Sequence, residues 1–331
     1  MRKLINDPIH FVDEVIDGIL IAHPDSLRAV SEDQRAIVRR DSPDGKVGIV
    51  TGGGSGHLPL FLGYVGSGLC SGVAIGNVFS SPSAEQILAA TKAVNGGKGV
   101  LYLFGNYGGD VMNFALAGDL AELEGITIET ALGRDDVMSA PVEKADTRRG
   151  VAGMIFAFKC AGASAERGDD LTEVTSVANA ALNATRTAGV GLSPTILPSA
   201  GKPTFELPDG EMEIGIGIHG EPGRLRGPIA TADSVTDTLV TAIFDDLKLS
   251  ADDEVVLLVN GLGATPLEEL YLVFRRAHRF LNDRGVRIHD SWVGEYVTSL
   301  EMAGVSVSVM RLDDQLRELF DAPAASPFFH R

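Results

Sequence analysis

Two cysteines in 331 residues, Cys70 and Cys160, exclude a disulfide framework, and neither has the CxxC or histidine spacing of a metal site. Both read as buried small hydrophobes. Basic residues are also scarce: 28 Lys and Arg stand against 45 Asp and Glu, for a formal charge of −17, with no Lys/Arg-rich run. That balance argues against a nucleic-acid partner and describes a solubilising surface. Any site for an anionic substrate must then be built locally. Long apolar runs are missing too. Nothing approaches the roughly 20 apolar residues of a membrane span, and even the apolar helix candidate from Gly150 to Ala165 contains Lys159. The N-terminal MRKLINDPIH meets Asn6 and Asp7 before the apolar core of a signal peptide could form. A cytoplasmic protein without a membrane partner is expected.

Glycine, by contrast, is plentiful, with 39 residues clustered at the ends of apolar β-branched runs. Short strands are predicted at Val47–Thr51, Gly99–Phe104 and Ile126–Leu132, separated by helical patterns at Ser83–Val94 and Val111–Leu123. Helices over Asp146–Arg167, ending at Gly168, and Leu171–Thr187 complete that half. The stretch from Ala188 to Asp209 carries four prolines and three glycines without helical period, which places a domain boundary near residue 190. Beyond it, Glu211–His219, Val255–Val259, Arg287–Val293 and Val305–Arg311 read as strands and Pro266–Asn282 as a helix. The tail from Ala322 is expected to pack extended. The expectation is an α/β protein of two α/β domains, residues 1–189 and 190–331, each a mixed or parallel sheet flanked by helices.

Three segments could carry chemistry. Thr51-Gly52-Gly53-Gly54-Ser55-Gly56-His57 follows a strand, and its glycines would let a ligand approach bare amides. It lacks the Lys-Ser/Thr of a Walker loop, and His57 replaces the last glycine of GxGxxG. A tight turn ending in a loop histidine fits equally well. Phe104-Gly105-Asn106-Tyr107-Gly108-Gly109-Asp110 places a carboxylate at a strand end, where it could act as a base or simply cap the next helix. In Met212–Gly223, period-2 alternation puts Glu213, Gly215, Gly217 and His219 on one face, cleared by glycine and ending in an imidazole. A nucleophilic or a satisfied structural histidine both fit. Ser81 could cap a helix or reach a ligand, and Thr265 before Pro266 reads as an N-cap. No His/Cys/Asp cluster has metal-ligand spacing and no GxSxG elbow supports a hydrolase.

LINDP, TGGGSGH, NYGGD with MNF, RRG at Arg148 to Gly150, AERGDDL, PSAGKP, GIGIHGEPG and NGLGATPLEELY occur in one order along nearly the whole chain, which resembles the substrate-binding subunit of the dihydroxyacetone kinases. The resemblance implies a ketose pocket in the first domain and a covalent histidine from the second. It assigns His219 a hemiaminal bond to the C2 carbonyl, Asp110 the role of base toward the terminal hydroxyl, and His57 that of hydrogen-bond or acid partner. Gly53, Gly54, Ser81 and Gly105 fall at positions lining the ketose. It also implies a homodimer that binds no cofactor itself. ATP or ADP with Mg would sit on a helical partner subunit, with a phosphotransferase-system protein as a candidate donor. Two positions depart from the family, which commonly has Glu where Leu58 stands and Lys where Gly105 stands. They point to a four-carbon ketose such as erythrulose as an alternative to dihydroxyacetone. The family also contains ketose-sensing regulators, a second class to weigh.

Overall fold

The computed structural model describes residues 3–41 and 44–331. The chain packs as two compact units, one from Met1–Gly133, Ile155–Ala181 and Leu316–Arg331, the other from Arg134–Met154 and Leu182–Gln315. Each is an α/β layer structure with a six-stranded mixed sheet, as expected. Where the sequence suggested a single cut at 189/190, the units share the chain in alternating segments. The reason lies in strand pairing: Thr185–Gly191 joins the second sheet, so the boundary falls before it.

The first unit runs through α1 (Phe11–Ala22), β1 (Leu27–Ala29), β2 (Ala36–Arg39), β3 (Gly48–Ser55), β4 (Gly72–Val78), α2 (Ala84–Val94), β5 (Val100–Gly105), α3 (Gly108–Leu123), β6 (Ile128–Gly133), α4 (Met154–Arg167) and α5 (Leu171–Asn183). Strand order is β1-β2-β4-β3-β5-β6, with β4, β3, β5 and β6 parallel and β1 and β2 antiparallel to their neighbours. The parallel strands are apolar on both faces: all of Val100–Gly105 is buried. Between sheet and helices lie Ile87, Val94, Tyr102 and Phe114, with Phe104 stacked on Phe114 at 3.9 Å. A capping box starts α2, Ser83 Oγ accepting from the Gln86 amide and the Gln86 side chain accepting from that of Ser83.

The second unit contains β7 (Thr185–Gly191), β8 (Glu211–Ile214), β9 (Leu225–Pro228), α6 (Ala232–Leu247), β10 (Glu254–Gly261), α7 (Leu267–Asn282), β11 (Arg287–Gly294) and β12 (Gly304–Leu312) in the order β11-β10-β12-β7-β8-β9. Only β10 and β11 run parallel. The chain then adds α8 (Asp314–Asp321), β13 (Ala325–Ser326) and β14 (Phe329–His330) to the first unit. The tail is thus a small hairpin rather than a plain extended strap, and Ala325 donates its amide to the Ser67 carbonyl.

Four local expectations change. The glycines after Val47–Thr51 belong to β3 itself and pair in register with β4. The helix expected from Asp146 begins at Met154: Val142–Thr147 is a short 3-10 helix, and the buried Asp135 carboxylate accepts the Val151 and Gly153 amides at 2.8 Å each and holds the intervening segment out of the α-helix. The helix expected to reach Thr187 stops at Asn183, before β7. Thr265 does not cap α7: its hydroxyl donates to the Gly304 carbonyl and accepts from the Gly304 amide. Cys70 and Cys160 are buried and form no disulfide with each other, and burial pushes the Cys70 thiol well up. Among the described residues, no helix is long and apolar enough to cross a membrane.

Candidate functional site

In the first unit, the implied residues gather at the carboxyl ends of β3, β4 and β5, the edge where open α/β sheets place ligands. Gly52, Gly53 and Gly54 are there to let other groups come close. A Cβ on Gly52 would lie 2.6 Å from the Ala74 carbonyl oxygen, one on Gly53 2.4 Å from the Phe61 ring, and one on Gly54 2.6 Å from the Ser80 amide nitrogen. The glycine run is therefore tight strand and loop packing, not an open cradle of free amides. At its end Gly56, at φ 103°, turns the chain and delivers His57. The His57 ring is 1% exposed, stacks on Phe79 at 4.9 Å and meets the edge of Phe61 at 6.3 Å. Both phenylalanines have positive φ, 57° and 66°, a conformation that bulky residues adopt only where surrounding packing enforces it.

Asp110 is buried in the first turn of α3. The helix begins three residues earlier than expected, with Tyr107 as its N-cap, so Asp110 is not the cap. The carboxylate instead sits inside the turn, where the helix dipole favours negative charge. Loop 79–81 links the pieces: Phe79 carries the His57 ring, Phe79 and Ser80 press on Gly54, and the Ser81 Cβ would meet a Cβ on Gly109 at 3.3 Å. Asn113, one turn after Asp110, donates to Ser81 Oγ at 3.3 Å and to the Pro82 carbonyl at 2.7 Å. Gly105 closes β5 opposite Gly133, just before this turn. Sequence reasoning passed over Asn113, although it lies in the MNF segment that follows NYGGD.

In the second unit, β8 ends at Ile214, so the alternation expected to run to His219 is not realised. Gly215, at φ 84°, breaks the strand. The chain then folds into a tight turn in which the Gly217 amide donates to the Glu221 carbonyl at 3.0 Å and the Gly220 amide to the Gly217 carbonyl at 3.0 Å. Ser299 Oγ donates to the Ile218 carbonyl at 2.5 Å and pins the turn. The His219 side chain is 22% exposed, so it is positioned yet open to a ligand.

Glu221, missed at the sequence level, holds this histidine twice. Its Oε1 lies 2.8 Å from Nδ1 and its Oε2 accepts the His219 amide at 3.0 Å. Burial raises the Glu221 carboxyl, but the hydrogen bond and charge of His219 outweigh it and hold the group down at about 2. An ionised carboxylate can only accept, so Nδ1 carries a proton, and whenever the ring is neutral the lone pair lies on Nε2. That is the protonation pattern of a nitrogen nucleophile. The available signal was a Glu two residues after the histidine, in the GIGIHGEPG segment already noted. Among the described residues, no group of three or more His, Cys, Asp or Glu side chains is arranged to hold a metal ion.

Known proteins resemble the chain over nearly its whole length. The chain is 44% identical over 330 residues, 99% of both chains, to the dihydroxyacetone-binding subunit DhaK of PTS-dependent dihydroxyacetone kinase 2 of Listeria innocua. It is 44% identical over 331 residues to a D-erythrulose kinase of Mycolicibacterium smegmatis, covering all of this chain and 57% of that longer one. The solved structure of the dihydroxyacetone kinase operon co-activator Dha-DhaQ superposes with a TM-score of 0.88 at 32% identity, covering 94% of this chain and 96% of that one. With the Dak1 domain model matching residues 17–328 as well, the chain belongs to the Dak1 domain family.

Proposed function

We propose that the chain is the ketose-binding subunit of a two-part kinase that holds its substrate as a hemiaminal on His219. The observation that carries this reading is the His219–Glu221 pair, in which the carboxylate takes the Nδ1 side of the ring, so that in the neutral imidazole Nε2 is the basic nitrogen. Attack by Nε2 forms an N–C bond at C2 while the carbonyl π pair moves to oxygen, which gains a proton. The ring gives up its Nδ1 proton, for which Glu221 is the adjacent acceptor. Only a carbonyl accepts the nitrogen, so ketoses are selected over polyols.

Phosphoryl transfer depends on positioning and charge stabilisation, which a covalently immobilised acceptor provides. Asp110 then takes the proton of the terminal hydroxyl, and His57, fixed between Phe61 and Phe79, hydrogen-bonds the substrate. Gly53, Gly54, Ser81 and Gly105 line the ketose. The phosphoryl group comes from ATP or ADP with Mg on a separate helical subunit, renewed by exchange or by a phosphotransferase-system protein. The chain works as a cytoplasmic homodimer, which light scattering of the purified protein checks.

Intact mass after mixing with dihydroxyacetone or erythrulose and trapping the adduct tests the covalent claim. No adduct, or one that persists in His219→Ala, refutes it. Asp110→Asn is expected to keep the adduct but lose roughly 10²–10⁴-fold in turnover once a helical subunit and donor are supplied. Unchanged turnover removes Asp110 from the mechanism. Gly105 and Leu58 in place of the family's larger polar residues, together with the likeness to a D-erythrulose kinase, favour a four-carbon ketose. A higher kcat/KM for dihydroxyacetone than for erythrulose overturns that preference. The likeness to a co-activator supports a second reading, a ketose sensor. A sensor binds the ketose without phosphorylating it, whatever helical subunit is supplied.

A further inference from the structure

We propose that Arg149 is a positioning residue for His219: held by Asp136, it fixes the Glu221 carboxylate in a seat left by Gly217 and thereby decides which imidazole nitrogen meets the substrate. This deepens the reading above, in which His219 is the nucleophile.

Arg149 is 12% exposed and Asp136 5%. Its Nε and Nη2 both donate to Asp136 Oδ2, at 3.0 and 2.8 Å, and Nη2 also donates to the Gly215 carbonyl at 2.7 Å. Nη1 lies 3.9 Å from Glu221 Oε2. The backbone is fixed as well, since Ser139 Oγ accepts the Arg149 amide at 3.1 Å and the Arg149 carbonyl accepts the Asp136 amide at 3.1 Å. Asp136, Arg149 and Glu221 thus form a row of alternating charge within one unit that ends on the His219 ring. Its rigid end is anchored to β7, where the Val137 amide donates to the Thr187 carbonyl at 3.0 Å.

Gly217 supplies an independent sign that the row is built. It is not among the glycines with positive φ, so its backbone does not demand glycine. The space does. A Cβ there would stand 1.9 Å from Glu221 Oε2 and 2.4 Å from Arg149 Nη1. The glycine on the His219 segment is bare so that a carboxylate and a guanidinium can meet against it. Guanidinium is suited to this task because its planar fork serves Asp136, Gly215 and Glu221 together, which a lysine cannot. A carboxylate so held keeps the Nδ1 proton in place. A loosened one lets the imidazole sample the other tautomer, which presents an N–H to the substrate carbonyl and cannot attack.

The test is long-range ¹H–¹⁵N NMR of histidine-labelled protein at a pH where the imidazoles are neutral, combined with the rate of adduct formation. Wild type is expected to show His219 as the Nδ1–H tautomer. Arg149→Met should shift it toward the mixture of a free imidazole and slow adduct formation roughly tenfold, the low end of what losing an outer support costs a histidine held on a metal. Arg149→Lys should recover part of both. Gly217→Ala evicts the pair without touching a charged residue and should reproduce Arg149→Met, and it decides the matter if that variant does not fold. Retention of the wild-type tautomer in Gly217→Ala overturns the proposal. If wild type forms no adduct, the hemiaminal reading fails, while the tautomer still reports on Arg149.

Discussion

Lys159 is the residue whose removal should change stability in the least intuitive way. It is fully buried in α4, and its Nζ donates to the Leu319 carbonyl in the last turn of α8 at 2.7 Å. Burial pushes its amine down from an ordinary 10.5 to about 8. Between those values the unfolded chain holds a proton that the folded chain has released, so stability climbs as pH rises from 8 toward 10.5. The drop from 10.5 to about 8 corresponds to roughly 3 kcal/mol, all of it an unrelieved penalty below pH 8. Lys159→Met removes that penalty but strands the Leu319 carbonyl, at a cost of about 1–3 kcal/mol. The variant should therefore match or exceed wild type by up to about 2 kcal/mol at pH 7 and fall below it by about 1–3 kcal/mol at pH 10. Hydrogen exchange of the α4 and α8 amides at the two pH values reads this directly. The lone Trp292, in β11 of the second unit, provides a fluorescence control that should move far less. Parallel pH dependence in the two proteins would refute the assignment of the penalty to Lys159.

Other consequences can be checked as directly. Gly54→Ala drives a Cβ into the Ser80 amide at 2.6 Å and the Phe79 Cα at 2.8 Å, backbone that cannot yield cheaply, so the melting temperature should fall by the equivalent of about 1–3 kcal/mol and adduct formation with it. Arg148→Met removes a buried guanidinium that meets both Asp246 oxygens at 2.9 and 2.6 Å, and urea denaturation should show a loss of about 3–5 kcal/mol. The part of that loss recovered by Asp246→Asn in the Arg148→Met background measures how much came from leaving the carboxylate with Arg186 as its remaining partner. The Glu221 carboxyl lies below its unfolded value, so the order it contributes is complete above about 4.5 and lost as pH falls toward 2. Glu221→Gln should abolish the change that wild type shows in the His219 amide signal across that window.

Much of the sheet and helix order was legible because it depends on local patterns: the buried run Val100–Gly105 and the Ser83 cap declare themselves within a few residues. What failed depended on distant partners. Gly52 to Gly54 were visible as unusual, yet whether such a run is an open cradle or close packing is settled by Ala74, Phe61 and Ser80, none of which the run itself specifies. The alternation through Met212–His219 suggested one strand, but Gly215 turned it, and the bare face of Gly217 serves Glu221 and Arg149. Arg149 lies 70 residues before His219 and carried no periodic signal. Asp135 likewise overrode a plausible helix by accepting two amides that the helix would have used.

The return of residues 316–331 to the first unit sets an order of events during synthesis. Gly68 is shaped around the Pro323 carbonyl and Gly66 around that of Ala325, and the Lys159 amine waits for Leu319. All three gaps stay open until the ribosome has made the whole of the second unit. A nascent chain stalled anywhere before residue 316 therefore presents a first unit with a vacant seam and a buried cation lacking its acceptor. Protease sensitivity of such arrested chains should persist until that last segment emerges.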